Sequence, residues 1–204
     1  NANGEATVSV TVKDSGQTLN GGVDTGVTRT FTIKVDGIND SPVLSAAGTP
    51  PFLTADGSNF TAAPLSTINE DVRDSAGDLV STFLDTASVT DVDSGNVKGV
   101  AIVETDTDVS KGTWQFSTTD PVDFENFTAT AGSSLLLDGA NANHRIRFVP
   151  AQDFNGTATI KYRAWDKSDE VAAGRGPLSG ETANTATNGD PTPFSSALVT
   201  KTIT

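Results

Sequence analysis

The 204-residue sequence predicts an all-β protein, built as an antiparallel sandwich or barrel. Three observations predict it. Apolar residues alternate with polar ones at period two in several short runs. Clusters of Gly, Pro, Asn and Asp separate those runs. No segment keeps a 3.6-residue apolar period over a helical length.

The first run sets Ala6, Val8, Val10 and Val12 against Thr7, Ser9, Thr11 and Lys13. The second puts Val27, Phe31, Ile33 and Val35 on one face, with Arg29 the exception, and Thr28, Thr30, Thr32 and Lys34 on the other. β-Branched residues on both faces fit half-buried strands. Between them, Asp14-Ser15-Gly16 and Asn20-Gly21-Gly22 supply turn chemistry. Further strands are expected over 65–69, 79–84, 98–104, 113–117, 134–137, 145–149, 157–165 and 196–204. Two stretches read as surface loops: 46–63, rich in Pro, Gly and Ala, and 167–193, rich in Gly, Thr, Asn and Ala. Trp114 and Trp165 stand in strand contexts and read as core or edge aromatics. His144 lies in a polar turn with no partner pattern.

Composition narrows the chemistry. The chain has no Cys, which excludes a disulfide scaffold, a thiol nucleophile and Cys-ligated metal centres. Its single His leaves little for a His-based metal site or triad. A formal net charge of -13 argues against a nucleic-acid groove or an anionic membrane surface. No apolar run approaches the ~20 residues of a spanning helix. Nothing marks out a catalytic carboxylate pair, so the sequence reads as non-catalytic. The acid excess suits solubility or divalent cations, since carboxylates are hard oxygen ligands.

An internal repeat sets the organisation. Residues 3–14, Asn-Gly-Glu-Ala-Thr-Val-Ser-Val-Thr-Val-Lys-Asp, align without gaps on residues 155–166, Asn-Gly-Thr-Ala-Thr-Ile-Lys-Tyr-Arg-Ala-Trp-Asp. Asn, Gly, Ala, Thr and Asp coincide, and the apolar alternation is in phase. The chain therefore reads as the last two strands of one repeat plus a linker over 1–40, then a complete second domain over 41–204. An isolated two-stranded hairpin is marginal in water. The apolar face of the first two strands is accordingly expected to pack on the second domain or on a neighbouring molecule.

The join reads Val35-Asp36-Gly37-Ile38-Asn39-Asp40-Ser41-Pro42-Val43. It resembles the V-N-D-x-P-V linker of bacterial cadherin-like repeats in very large RTX-type surface adhesins. It is also similar to the D-x-N-D-N-x-P calcium linker of cadherins, with Pro42 one position early. Asn69-Glu70-Asp71 resembles the N-E-D element of such repeats, Asp91-Val92-Asp93-Ser94-Gly95 the D-x-D element, and Ala164-Trp165-Asp166 the A-x-D element. Segments 112–117 and 145–156 look like the same repeat. The resemblance implies an Ig-like or cadherin-like β-sandwich, exported and displayed on a bacterial cell surface. It implies Ca²⁺ as cofactor and neighbouring repeats of the same polypeptide as partners. The alternative is a glycan- or peptide-binding adhesive module using the long loops and a Trp.

Connectivity suggests where an ion would sit. In a sandwich repeat the last strand runs into the linker, so the loop before that strand lies at the opposite end, near the preceding linker. Asp166 is then expected beside Asn39 and Asp40. Asp91 and Asp93 join them if their loop lies at the same end, with Asp36 as an extra ligand. Converging carboxylates repel without a cation, and Ca²⁺ accepts ~6–8 oxygens from carboxylates, amides and carbonyls. Mg²⁺ demands tighter geometry and fits less well. By the family pattern Glu70 serves a junction at the far end, and Asp14, the counterpart of Asp166, serves a junction ahead of the first strands. An EF-hand does not fit, because its twelfth loop position falls on Ile102. The acidic run 104–108 reads as a solvated loop.

Overall fold

The computed structural model describes residues 3–16, 18, 21–44, 60–61, 65–83, 89–93, 99–119, 121–169 and 178–204, with 60, 61 and 83 described by backbone alone. The chain forms two compact units, Asn1–Ile38 and Asn39–Thr204.

The first unit is a hairpin of β1 (Gly4–Val10) and β2 (Arg29–Val35). Its antiparallel register pairs Ala6 with Ile33 and Val8 with Phe31 on one face, and Thr7 with Thr32 and Ser9 with Thr30 on the other. Directly opposed residues share a face, so the sequence alternation yields one apolar and one polar side. On the apolar side Phe31 is 53% and Ile33 49% exposed.

The second unit is an all-β sandwich. Its larger sheet has the order β13-β10-β7-β12-β14-β4. These strands are β4 (Phe60–Thr61), β7 (Gly99–Thr105), β10 (Ser134–Asp138), β12 (Ala158–Trp165), β13 (Thr182–Ala183) and β14 (Val199–Ile203). All pairings are antiparallel except β14 with β4. The smaller sheet, β5-β11-β8-β9, contains β5 (Asp78–Leu79), β8 (Gly112–Ser117), β9 (Glu125–Asn126) and β11 (Arg145–Pro150). A short pair joins β3 (Val43–Leu44) to β6 (Val89–Thr90).

The core lies between the sheets. Val100, Ile102, Leu135, Leu137, Ala158, Ile160 and Tyr162 meet Trp114, Ile146 and Phe148 there, all buried. The Trp114 and Phe148 rings stand 5.1 Å apart and tilted, a favourable aromatic geometry. The opposite face of the larger sheet carries a second cluster, Ala101, Leu136, Trp165 and Phe194. Both faces of β7 and β10 are therefore covered, which explains their unbroken apolar runs.

Four expectations are corrected. Residues 65–69 form no strand: Leu65 N–H and Ile68 N–H donate to the carbonyls of Thr202 and Thr204, a spacing no regular ladder has. In 79–84 the strand ends at Leu79 and gives way to one helical turn, α1 (Val80–Phe83), where Thr82 Oγ1 donates to the Leu79 carbonyl. Part of the supposed loop 167–193 is sheet edge. Gly180 N–H donates to the Leu136 carbonyl, Leu136 N–H donates to that of Glu181, and Thr185 is buried against Ser134. His144 is no free turn residue. It is 4% exposed, and its Nδ1 accepts from Asp138 N–H. Of 46–63, β4 is described and the remainder lies outside the described residues, as do 84–88 and 94–98.

Candidate functional site

Two pieces of local structure build a cluster at one end of the sandwich. The first is the β3–β6 pair. Its register sets Val43 opposite Thr90 and Leu44 opposite Val89. Continued outward, that register puts Asp40 across from Asp93. The contact is made: Asp40 N–H donates to Asp93 Oδ2 at 2.7 Å. Asp91 turns the chain there, with its Oδ1 accepting from Asp93 N–H at 2.8 Å.

The second piece is the end of β12. Asp166 follows Trp165 directly, is 1% exposed, and accepts from Ser168 N–H through Oδ1. Its Oδ2 accepts from Asn39 Nδ2 at 3.0 Å. The same Nδ2 lies 3.1 Å from the Asp40 carbonyl and 3.3 Å from that of Thr192. An amide NH₂ has only two hydrogens for these three oxygens. The linker residues Asn39 and Asp40 thus meet Asp91, Asp93 and Asp166, as the connectivity argument expects.

The structure adds two groups that the sequence reading missed. Asp190 Oδ1 accepts from Ser41 N–H at 2.6 Å, and the Thr192 carbonyl faces Asn39. The signal was available. Both lie in the loop ahead of the last strand, which connectivity places at the linker end. The polar composition of 167–193 disguised it.

The electrostatics are those of crowded acids. Asp40 is held above the ordinary carboxylate value by loss of solvation, reinforced by the charges of Asp93 and Asp190. Burial likewise raises Asp166, and Asp91 adds to the effect, against hydrogen bonds from Ser168 and Asn39. Asp190 is lowered by the Ser41 N–H. Two carboxylate oxygens, Asp40 Oδ2 and Asp91 Oδ2, are buried and have no hydrogen-bond partner among the described residues. Buried polar atoms normally find partners, so this pair needs an explanation. Among the described residues, no three Asp, Glu or His side chains are already gathered into one coordination sphere.

Asp36, Asp14 and Glu70 each have surroundings of their own. Asp36, in the first unit, pairs with Lys34 at 2.7 Å and has a side chain 75% exposed. Asp14, also in the first unit, accepts from Gly16 N–H through Oδ1. Glu70 lines a cavity of about 590 Å³ with Phe148, Phe154, Gly156, Ala158 and Ile203, at the start of β12 rather than its end. In the 104–108 run, Asp108 accepts from Ser110 and Asp106 pairs with Lys111, so these acids are locally satisfied. Trp114 and Trp165 are 1% and 0% exposed and offer no stacking face to solvent.

Comparison with protein-family models, curated proteins and solved structures gave no match, so the functional reading rests on residues and geometry.

Proposed function

We propose that residues 39–204 form a non-catalytic, Ca²⁺-stapled structural repeat of the cadherin-like class that the linker motif resembles. Its setting is a large bacterial surface adhesin, exported and displayed outside the cell, and its partners are neighbouring repeats of that polypeptide. The observation that carries this reading is the pair of orphaned buried oxygens, Asp40 Oδ2 and Asp91 Oδ2, among converging acids. A divalent cation supplies what both atoms lack. Ca²⁺ suits the donor set of carboxylates, one side-chain amide and backbone carbonyls, all hard oxygens.

The residues that would hold the ion are Asn39 and Asp40 from the linker, Asp91 and Asp93 after β6, Asp166 after β12, and Asp190 ahead of β14. A bound ion neutralises the raised carboxyls. It also ties the linker to three loops that are distant in sequence. The work of the repeat is then mechanical: the linker leaves the sandwich in one fixed direction while Ca²⁺ is bound, and loosens when it is removed.

The test is a thermal melt of the 204-residue chain in chelator and in millimolar Ca²⁺, with calorimetric titration of the metal. The expected outcome is a marked rise in Tm with Ca²⁺. Asp93→Asn should weaken Ca²⁺ binding and leave the fold in chelator intact, with a Tm there equal to or above the parent's, since the Asp93 charge is one of those that crowd Asp40. Identical melts with and without Ca²⁺ would refute the reading.

A further inference from the structure

The first unit repeats the closing hairpin of the second, bond for bond. Ala6 pairs with Ile33 and Thr7 with Thr32, as Ala158 pairs with Ile203 and Thr159 with Thr202. Asp14 N–H donates to the Asp24 carbonyl and Gly26 N–H to that of Val12. At the matching positions Asp166 N–H donates to the Pro193 carbonyl and Ser195 N–H to that of Ala164. Gly16 N–H bonds Asp14 Oδ1 at 2.8 Å, and Ser168 N–H bonds Asp166 Oδ1 at 2.7 Å. Gly4 and Gly156 hold φ values of 134° and 149°, a region L side chains rarely enter.

What differs is the covering. In the second unit β12 has β7 along its free edge and the Trp114, Ile146 and Phe148 side chains over its face. Ala158, Ile160, Tyr162 and Ala164 are buried there. The counterparts of Tyr162 and Ala164, Val10 and Val12, are 46% and 71% exposed, and among the described residues β1 pairs with β2 alone.

We propose that the first unit is an interaction surface for one occupant, the remaining strands of a sandwich of the same kind. A β7-like strand pairs along the free edge of β1. An aromatic-bearing sheet, like β8 with β11, covers Val8, Val10, Phe31 and Ile33. Arg29, directly opposite Val10 on the apolar face, adds a charge requirement: the occupant presents an acid there. The second unit has Val199 opposite Tyr162 and needs none. The inference is independent of Ca²⁺, because it concerns strand pairing and apolar cover alone.

The test compares backbone amide exchange in the 204-residue chain with that in a chimera that carries a second copy of residues 39–154 ahead of Asn1. Both run in chelator, so that failure of the calcium reading does not affect the result. Where sedimentation shows the shorter chain to be a monomer, its β1 and β2 amides should exchange at least ~100-fold faster than those of β12. In the chimera they should come within about tenfold of β12. Phe31→Asp should remove that protection and leave the β12 amides unchanged. Unprotected β1 amides in the chimera overturn the proposal. So does a dimer of the 204-residue chain whose hairpin protection is lost on Phe31→Asp, since a second copy is then the occupant. Insolubility of the chimera also counts against it.

Discussion

At the scale of the residue, Asp166 is an acid whose burial weakens the metal-free chain. It is almost wholly buried, and burial lifts its pKa above 3.8. The sign follows directly: a group whose folded pKa is raised adds stability below its unfolded value and loses it as pH rises through the folded one. In chelator the ionised Asp166 therefore costs stability at neutral pH. Asp166→Asn keeps an oxygen for Ser168 N–H and removes the charge. The expected outcome is a higher Tm in chelator at pH 7 and a reduced gain from Ca²⁺, both read by calorimetry. His144 has the opposite sign. Burial lowers its pKa below 6.5, and its Nδ1 must stay unprotonated to accept from Asp138 N–H. Its contribution is complete above pH 6.5 and falls as pH drops below that value. His144→Asn preserves an acceptor that does not titrate. Urea midpoints at pH 7.5 and 5.5 should differ less for the variant than for the parent. Sequence made Asp166 legible, because a carboxylate closing a strand has a definite address. It hid His144, because a turn composition says nothing about which side chain folds inward.

At the scale of elements, the site depends on register. The two-residue pairing of β3 with β6 suffices to set Asp40 against Asp93, because every step along an antiparallel ladder is fixed by the last. Period-two alternation made β1, β2, β8, β11 and β12 readable. It could not reveal β13, whose two residues sit in a polar stretch and owe their place to the edge of β10. Nor could it exclude 65–69, whose apolar residues are bonded to the last strand only at intervals. The outer face of the larger sheet supplies a prediction of its own. A Cβ at Gly99 would meet the Leu137 carbonyl oxygen and the Trp165 ring, both at 2.8 Å. Both neighbours are in the interior, and neither can swing aside as a surface side chain would. Gly99→Ala is expected to destabilise the fold by ~1–3 kcal/mol, seen as a lower urea midpoint with an altered Trp fluorescence spectrum. An unchanged midpoint would mean that β7 and the indole are not packed this closely.

For the whole molecule the central quantity is the formal charge of -13. Two mechanisms let cations stabilise such a chain, and they separate by experiment. Diffuse repulsion over the surface is screened by any salt, with a Debye length of ~10 Å at ~0.1 M. The cluster around Asp40 answers differently. Its orphaned oxygens are cut off from solvent, so screening ions do not reach them. Raising NaCl in chelator should lift Tm by a shallow, continuous amount. Millimolar Ca²⁺ adds little ionic strength, so screening predicts almost no effect from it. Site binding predicts a saturable rise. At a concentration ~100 times Kd the gain is ~2.7 kcal/mol, or roughly 5–10 °C for a chain of this size. Mg²⁺ at equal concentration should give less, because it demands a small octahedral shell and sheds its water reluctantly. A rise that moderate NaCl reproduces would assign the effect to surface charge and leave the buried oxygens of Asp40 and Asp91 without a ligand, and one that Mg²⁺ matches would mean a divalent site with no preference for Ca²⁺.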